Sequence, residues 1–283
     1  MKISDNIYIN VFLLISILLS VEVATYAKSV DFVDSNDPSL WEGAVVVNSE
    51  VIHSKENSFE LFGKYATEII TKDYIPIDMT KTYTLSAWLR TLDPNLPASG
   101  NIGLRLYDKD KREIKIANAA AFPGTESKLV GDATKGSKEF LVEKNPVYLK
   151  MKNVSVSFNA KDDYSDLPNY DNSPRIAKIT DIGDSYKITL LAPMEKTYKA
   201  GTKIRLHQPW GAPLYWLKMG LYPAEWTNVT NTMKGEAKYG TPIDKFWRGT
   251  KYVRVFVWFG NWNLKPKDGA KLLISDIDFI EKD

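Results

Sequence analysis

Short runs of alternating apolar and polar residues, separated by turn-forming residues, dominate this chain and leave room for little besides β-sheet. Strand-like segments recur as GAVVV, SFELF, TEIIT, KTYTLSAWLR, NIGLRLYD, VSVSF, SYKITLL, KIRLH, KYVRVFVWF and KLLISDIDFI, bounded by Gly, Pro, Asn or Asp. No segment sustains a 3.6-residue apolar period, so helices are expected only as single turns. That spacing predicts an all-β protein, a β-sandwich or jelly roll. A propeller or solenoid would require an internal repeat, and the sequence has none.

The N-terminus reads as a targeting segment. Lys2 precedes the apolar run Val11–Val21, followed by ATYA ending at Ala27. The run is too short for the roughly 20 residues of a spanning helix and suits the h-region of a signal peptide. Thr25 and Ala27 stand where a cleavage site needs small residues. Residues 1–27 are therefore expected to be removed, leaving a secreted or cell-surface protein with no membrane contact. Asp5 opposes Lys2, so an uncleaved anchor is the alternative.

There is no cysteine. An exported chain without disulfides must hold together by core packing, and cysteine nucleophiles, zinc–thiolate sites and iron–sulfur clusters are excluded. The formal net charge is +2, with both signs interspersed and no basic stripe, so nucleic acid is not an expected partner. Eight Trp and fifteen Tyr exceed what a core of this size needs.

The middle of the chain differs in texture. Residues 122–206 are rich in Lys, Asp and Asn and contain several short strand-like runs joined by tight turns. They read as a small β subdomain inserted into one sandwich formed by 28–121 and 207–283.

Outside the insertion, IPIDMTKTYTLSAWLRT (Ile75–Thr91), GLRLYDKDKREI (Gly103–Ile114), PAEWTNVTNTMKG, KYVRVFVWFGNWN and LLISDIDFI occur in that order. Together they resemble the galactose-binding-like β-sandwich of carbohydrate-binding modules of the family-4 and family-9 kind. The resemblance covers a little under half of the chain, roughly Val46–Ala117 and Ala224–Ile280. It implies a jelly-roll sandwich that binds a polysaccharide or oligosaccharide without catalysis. Two departures stand out: Lys111 occupies a hairpin position where those modules usually carry Gly, and the insertion has no counterpart in a minimal module. The resemblance also admits a structural calcium between Asp34 in DSNDP and Asp276 or Asp278 in the last strand, with no cofactor otherwise required. Asp and Asn are equally natural turn residues, and that reading is preferred for both this pair and the Asp162, Asp163, Asp166, Asp171 cluster.

The segment VRVFVWF poses the central question. Val253, Val255, Val257 and Phe259 make one face, yet the other carries Arg254, Phe256 and Trp258 instead of polar residues. KTYTLSAWLR and NIGLRLYD repeat the pattern, with Trp88, Arg90, Arg105 and Tyr107 opposite an aliphatic face. Placed on one sheet, Trp88, Arg90, Arg105, Tyr107, Arg254 and Trp258 would form a sugar-binding surface. Aromatic rings pack against the C–H face of a pyranose, and arginines donate to hydroxyls or to an acidic group. Alternatively the insertion covers these rings and makes them core. Trp210, Trp216 and Trp262, in Pro/Gly-rich loop sequence, form a second candidate set. Trp226 reads as core.

Evidence for catalysis is thin. The chain has two histidines, His53 and His207, and lacks a Gly-x-Ser-x-Gly elbow, a His-Glu-x-x-His motif and a phosphate loop. A polysaccharide lyase built on Arg205, His207 and a tyrosine is one alternative, and a glycoside hydrolase would need two paired carboxylates. His207 alone reads more simply as an exposed strand end. A structural cell-surface protein is the third class. The glycan and the oligomeric state are not legible.

Overall fold

The computed structural model describes residues 30–34, 37–63, 67–210, 215–260 and 268–282; the side chains of 30–34 and 215–219 lie outside that description, as does the expected signal peptide. The first part of the chain forms β1 (Val30–Asp34), β2 (Trp41–Glu42), β3 (Val46–Asn48), β4 (Ser58–Phe62), β5 (Thr67–Thr71), β6 (Ile75–Pro76), β7 (Thr82–Thr91), β8 (Ser99–Tyr107) and β9 (Glu113–Ile114). A single helical turn, α1 (Ile116–Ala119), leads into β10 (Ser127–Lys128), β11 (Glu139–Glu143), β12 (Ser155–Phe158), β13 (Ile176–Asp181), β14 (Ser185–Leu190) and β15 (Lys203–His207). The chain returns through β16 (Tyr215–Leu221), β17 (Thr227–Lys234), β18 (Tyr252–Phe259) and β19 (Lys271–Lys282).

The fold is an all-β sandwich of two antiparallel sheets. One runs β17-β7-β19-β4-β3, with β1 also paired to β19; the other runs β16-β8-β18-β5-β2, with β6 on β18 and β9 on β8. Alternation puts Tyr83, Leu85, Ala87 and Leu89 of β7 inward, fully buried. They share one core with Ile102 and Leu104 of β8, Val253, Val255 and Val257 of β18, and Ile274 and Phe279 of β19. Each buried Val, Leu, Ile or Phe among them contributes about 1.5–3 kcal/mol by leaving water, which is how a chain without disulfides holds together. Tyr83 adds a polar tie, accepting from Asp78 N and donating to Glu281 at the far end of β19.

The inserted segment has a core of its own. Two three-stranded sheets, β10-β15-β12 and β11-β14-β13, enclose Phe140, Val142, Tyr148, Val156, Phe158, Ile188 and Leu206. Tyr198 lies flat on Phe158, with centroids 3.8 Å apart and planes 4° off parallel. The buried residues of this second core run from Leu129 to Leu206.

The insertion docks through residues 161–172 onto the β8–β9 turn, α1 and the 236–249 loop. Asn169 N donates to Asn118 O while the Asn118 amide donates back to Asn169 O. Tyr170 donates to Asp108 and lies under the Arg112 guanidinium. Tyr164 packs on Tyr239, and Pro168 sits against Gly249, where a Cβ would come within 2.3 Å of the Pro168 ring. These contacts place the insertion at one end of the sandwich, beside Tyr107, and do not make it a lid over Trp258.

Candidate functional site

The two sheets divide the expected six-residue surface. β7 belongs to one sheet and β8 and β18 to the other, so Trp88 and Arg90 face away from Arg105, Tyr107, Arg254 and Trp258. The expectation of a single surface is corrected on this point. Inside–outside alternation is the same for a strand of either sheet, so it cannot say which strands are neighbours.

On the β8–β18 sheet, register sets the outer residues in rows. Trp258 lies between Glu68 and Asn101, Phe256 between Ile70 and Gly103, Arg254 beside Arg105, and Tyr252 between Pro76 and Tyr107. Trp258 and Tyr252 are half-buried, as is Tyr74, which meets Tyr107 edge-on at 4.8 Å and Tyr252 at 6.3 Å. Lys111 Nζ stands 4.7 Å from the Tyr74 centroid, and the Arg254 guanidinium 5.4 Å.

The arginines on this face are held by carboxylates. Arg105 donates from Nε and Nη2 to both oxygens of Glu68, at 2.9 and 2.6 Å, and from Nη1 to Glu113 at 2.7 Å. Its guanidinium lies over Phe256. Arg254 donates to Glu42 at 2.8 Å and to Thr71 O. Burial works against both charges, but the glutamate partners outweigh it and raise both pKa values. Burial, followed by repulsion from Glu113, pushes the Tyr107 phenol up to about 12, so it stays protonated. The result is an interlocked array of planar donors and acceptors, two arginines held by three glutamates, bordered by rings. Lys111, the departure from the Gly of the resembled hairpin, adopts φ +58, the left-handed conformation in which Gly costs least.

On the opposite sheet, Trp88 does not offer an open ring. The His53 imidazole stacks on it at 4.1 Å and 19° and meets Trp226 edge-on at 5.6 Å. His53 Nδ1 bonds to Asp276 Oδ2, which also accepts from Ser54 at 2.7 Å. Asp276 sits at φ +50 in a bulge of β19. Burial tends to raise its pKa, but the bonds from Ser54, His53 and Ser275 outweigh it and hold it below the usual carboxylate range. The Asp276 carboxylate, a candidate calcium ligand, is thus occupied by hydrogen-bond donors. Asp34 lies opposite Asp278 in backbone register, its side chain outside the described residues. Among the described residues, no cluster of three or more His, Asp or Glu is arranged to hold a metal ion. Trp226, expected in the core, is instead half-buried at the surface beneath Arg90.

Of the loop aromatics, Trp210 is 57% exposed, its carbonyl accepting from Ala117 N. Trp216 has its backbone opposite Gly103 in β16, with its side chain outside the described residues, and Trp262 lies wholly outside them.

Arg205 and His207 do converge with a tyrosine, Tyr164, but as a buried junction rather than a cleft. Both are fully buried. Arg205 Nη2 donates to Asp166 at 2.8 Å, Nη1 to Lys161 O, and the guanidinium lies 4.5 Å from the Tyr164 centroid. His207 Nδ1 faces the Ala117 carbonyl at 2.8 Å and so carries the proton, leaving Nε2 to accept from Arg205 at 3.3 Å. Burial, reinforced by the Arg205 charge, depresses its pKa to about 4. The expectation that His207 is an exposed strand end is corrected, because Ala117 and the 161–166 loop close over it.

Sequence reasoning gave no site role to Tyr74, Glu68, Glu113 or His53, and raised Glu42 only as a carboxylate that a glycosidase could use with Glu225. Glu68 was within reach, since alternation in TEIIT puts Glu68 and Ile70 on one face. His53 lies in a loop with no periodicity to mark it. Compared with protein-family models and with curated proteins, the sequence matches none.

Proposed function

We propose that this protein is exported and binds polysaccharide without catalysing its cleavage, on the outer face of the β8–β18 sheet. One observation carries the reading: half-buried Trp258, Tyr252 and Tyr74 border an Arg105–Glu68–Glu113 network whose atoms are already fixed. A pyranose presents an apolar C–H face and a rim of hydroxyls. Rings take the first at about 25 cal/mol per Å² of buried apolar surface, and the ion-paired planar groups take the second. Because these groups are held by one another, little side-chain freedom is lost on binding. The resemblance to galactose-binding-like modules favours the same activity. A lyase built on Arg205 and His207 is disfavoured, because those residues are occupied in holding the junction.

The test is affinity electrophoresis of residues 28–283 through gels holding different polysaccharides, with Trp258→Ala and Tyr252→Ala alongside. Retardation by a glycan, lost in these variants while their unfolding midpoints stay near wild type, is the expected result. Retardation unaffected by both changes would refute this face, and none in any gel would refute the function.

A further inference from the structure

Of the arginines the sequence singled out for binding, Arg90 differs from the rest. Arg105, Arg205 and Arg254 each engage a carboxylate, whereas Arg90 is paired with none among the described residues. It is nonetheless half-buried. Its Nε donates to its neighbour's carbonyl, Thr91 O, at 3.2 Å, and its guanidinium lies 5.7 Å from the Trp226 ring centroid. A guanidinium resting on an indole keeps its in-plane N–H groups for an outside acceptor, and Nη1 and Nη2 make the fork that fits a carboxylate or sulfate. Partly desolvated and without a counter-ion, such a charge gains more from an anion than a solvated surface lysine does.

The surroundings suit a sugar that carries that anion. Strand register sets exposed Asn228 opposite Trp88, one row from Arg90, and exposed Thr230 opposite Ser86 beyond it. Both point outward with the arginine and offer hydrogen bonds to hydroxyls. Asp276 is compensated by Ser54 and His53, and Glu60 by Lys271 at 2.7 Å and by Asn48. We infer that Arg90, backed by Trp226 and flanked by Asn228, is a second binding site, for the carboxylate or sulfate of an acidic sugar residue. It lies on the sheet opposite Trp258 and stands independently of the function proposed for that face.

The experiment is affinity electrophoresis of residues 28–283 in gels holding polygalacturonate, dextran sulfate or unmodified dextran, at low and high NaCl. Wild type is expected to be retarded by one or both acidic polymers, the pair showing whether carboxylate or sulfate is preferred, and added salt should release it. Arg90→Gln should weaken that retardation by about tenfold, the loss expected of one charge-assisted bond, while Trp258→Ala leaves it intact. Arg90→Lys, which keeps the charge and loses the fork, should fall between and serves if the glutamine variant is unstable. Unretarded wild type in both acidic gels, or retention unchanged in a folded Arg90→Gln or Arg90→Lys, would overturn the inference. Loss of neutral-glycan binding in Trp258→Ala bears only on the other face.

Discussion

Lowering the pH from about 7.5 to about 5 is expected to cost the fold about 2 kcal/mol through His207 alone. The imidazole is fully buried, and its pKa stands at about 4 against an ordinary 6.5 because burial and then the Arg205 charge outweigh the bond to Ala117. A base whose folded pKa lies below its unfolded one takes up its proton preferentially in the unfolded chain. Its contribution is therefore complete above pH 6.5 and declines toward pH 4, where the loss levels off at about 3 kcal/mol. The depressed carboxylates Asp108, Asp171 and Asp276 also lose stability as pH falls, but in a lower window. Their stabilisation is present above their unfolded value of 3.8 and is lost below it, so it does not overlap this window. Urea unfolding followed by tryptophan fluorescence at about pH 7.5, 6 and 5 measures the effect. Wild type should lose stability across the series, while His207→Gln, which keeps an acceptor for Arg205 and does not titrate, should start lower and stay nearly level. Parallel curves for the two proteins would show that His207 is not held neutral, and the account of the junction would fail.

Asp166→Ala should cost about 3–5 kcal/mol, because it strands the fully buried Arg205 without its carboxylate; the same urea titration measures it. Gly249→Ala should cost about 1–3 kcal/mol by thermal melting, since φ +83 is combined with a Cβ forced within 2.3 Å of Pro168. Gly201→Ala, at φ +78 with open space around it, isolates the backbone cost of about 1 kcal/mol and should be the milder change. At Lys111, Ala should be less stable than Gly by about 1 kcal/mol, and the native Lys should regain part of that through Tyr74 and Tyr252. Equal melting temperatures for the Ala and Gly variants would remove the left-handed backbone as the cause.

The strands and the division of labour along each strand were readable from residue order. The inward faces of KTYTLSAWLR, NIGLRLYD and YVRVFVWF are buried as alternation requires. The pairing of strands was not readable. β7 and β8 are consecutive in the chain and carry the same pattern of arginine and aromatic residues, yet the seven residues between them carry β8 to the other sheet. Trp88 and Arg90, two of the six expected surface residues, therefore lie on the opposite side of the molecule. The glutamates that hold the arginines come from the short strands β2, β5 and β9; Glu42 lies far from Arg254 in sequence, and Glu68 and Glu113 are paired with Arg105 only by the strand order of the sheet. Buried Arg205 and His207 misled for a similar reason, because the loop that covers them lies about forty residues upstream.

The position of β19 has a consequence for how this molecule comes to be. It lies between β7 and β4 and bonds to both, although it is the last strand in the chain. Until residues 271–282 are available, the early strands have a gap where their central neighbour belongs, with the edges of β4 and β7 open. The insertion, whose strands all pair within residues 127–207, can settle long before that. Synthesis therefore yields a finished small unit attached to an unfinished large one. Truncation after Gly269 should leave the insertion protected from protease and the flanking segments cut, whereas equal digestion of both would show that the small unit depends on the completed sandwich.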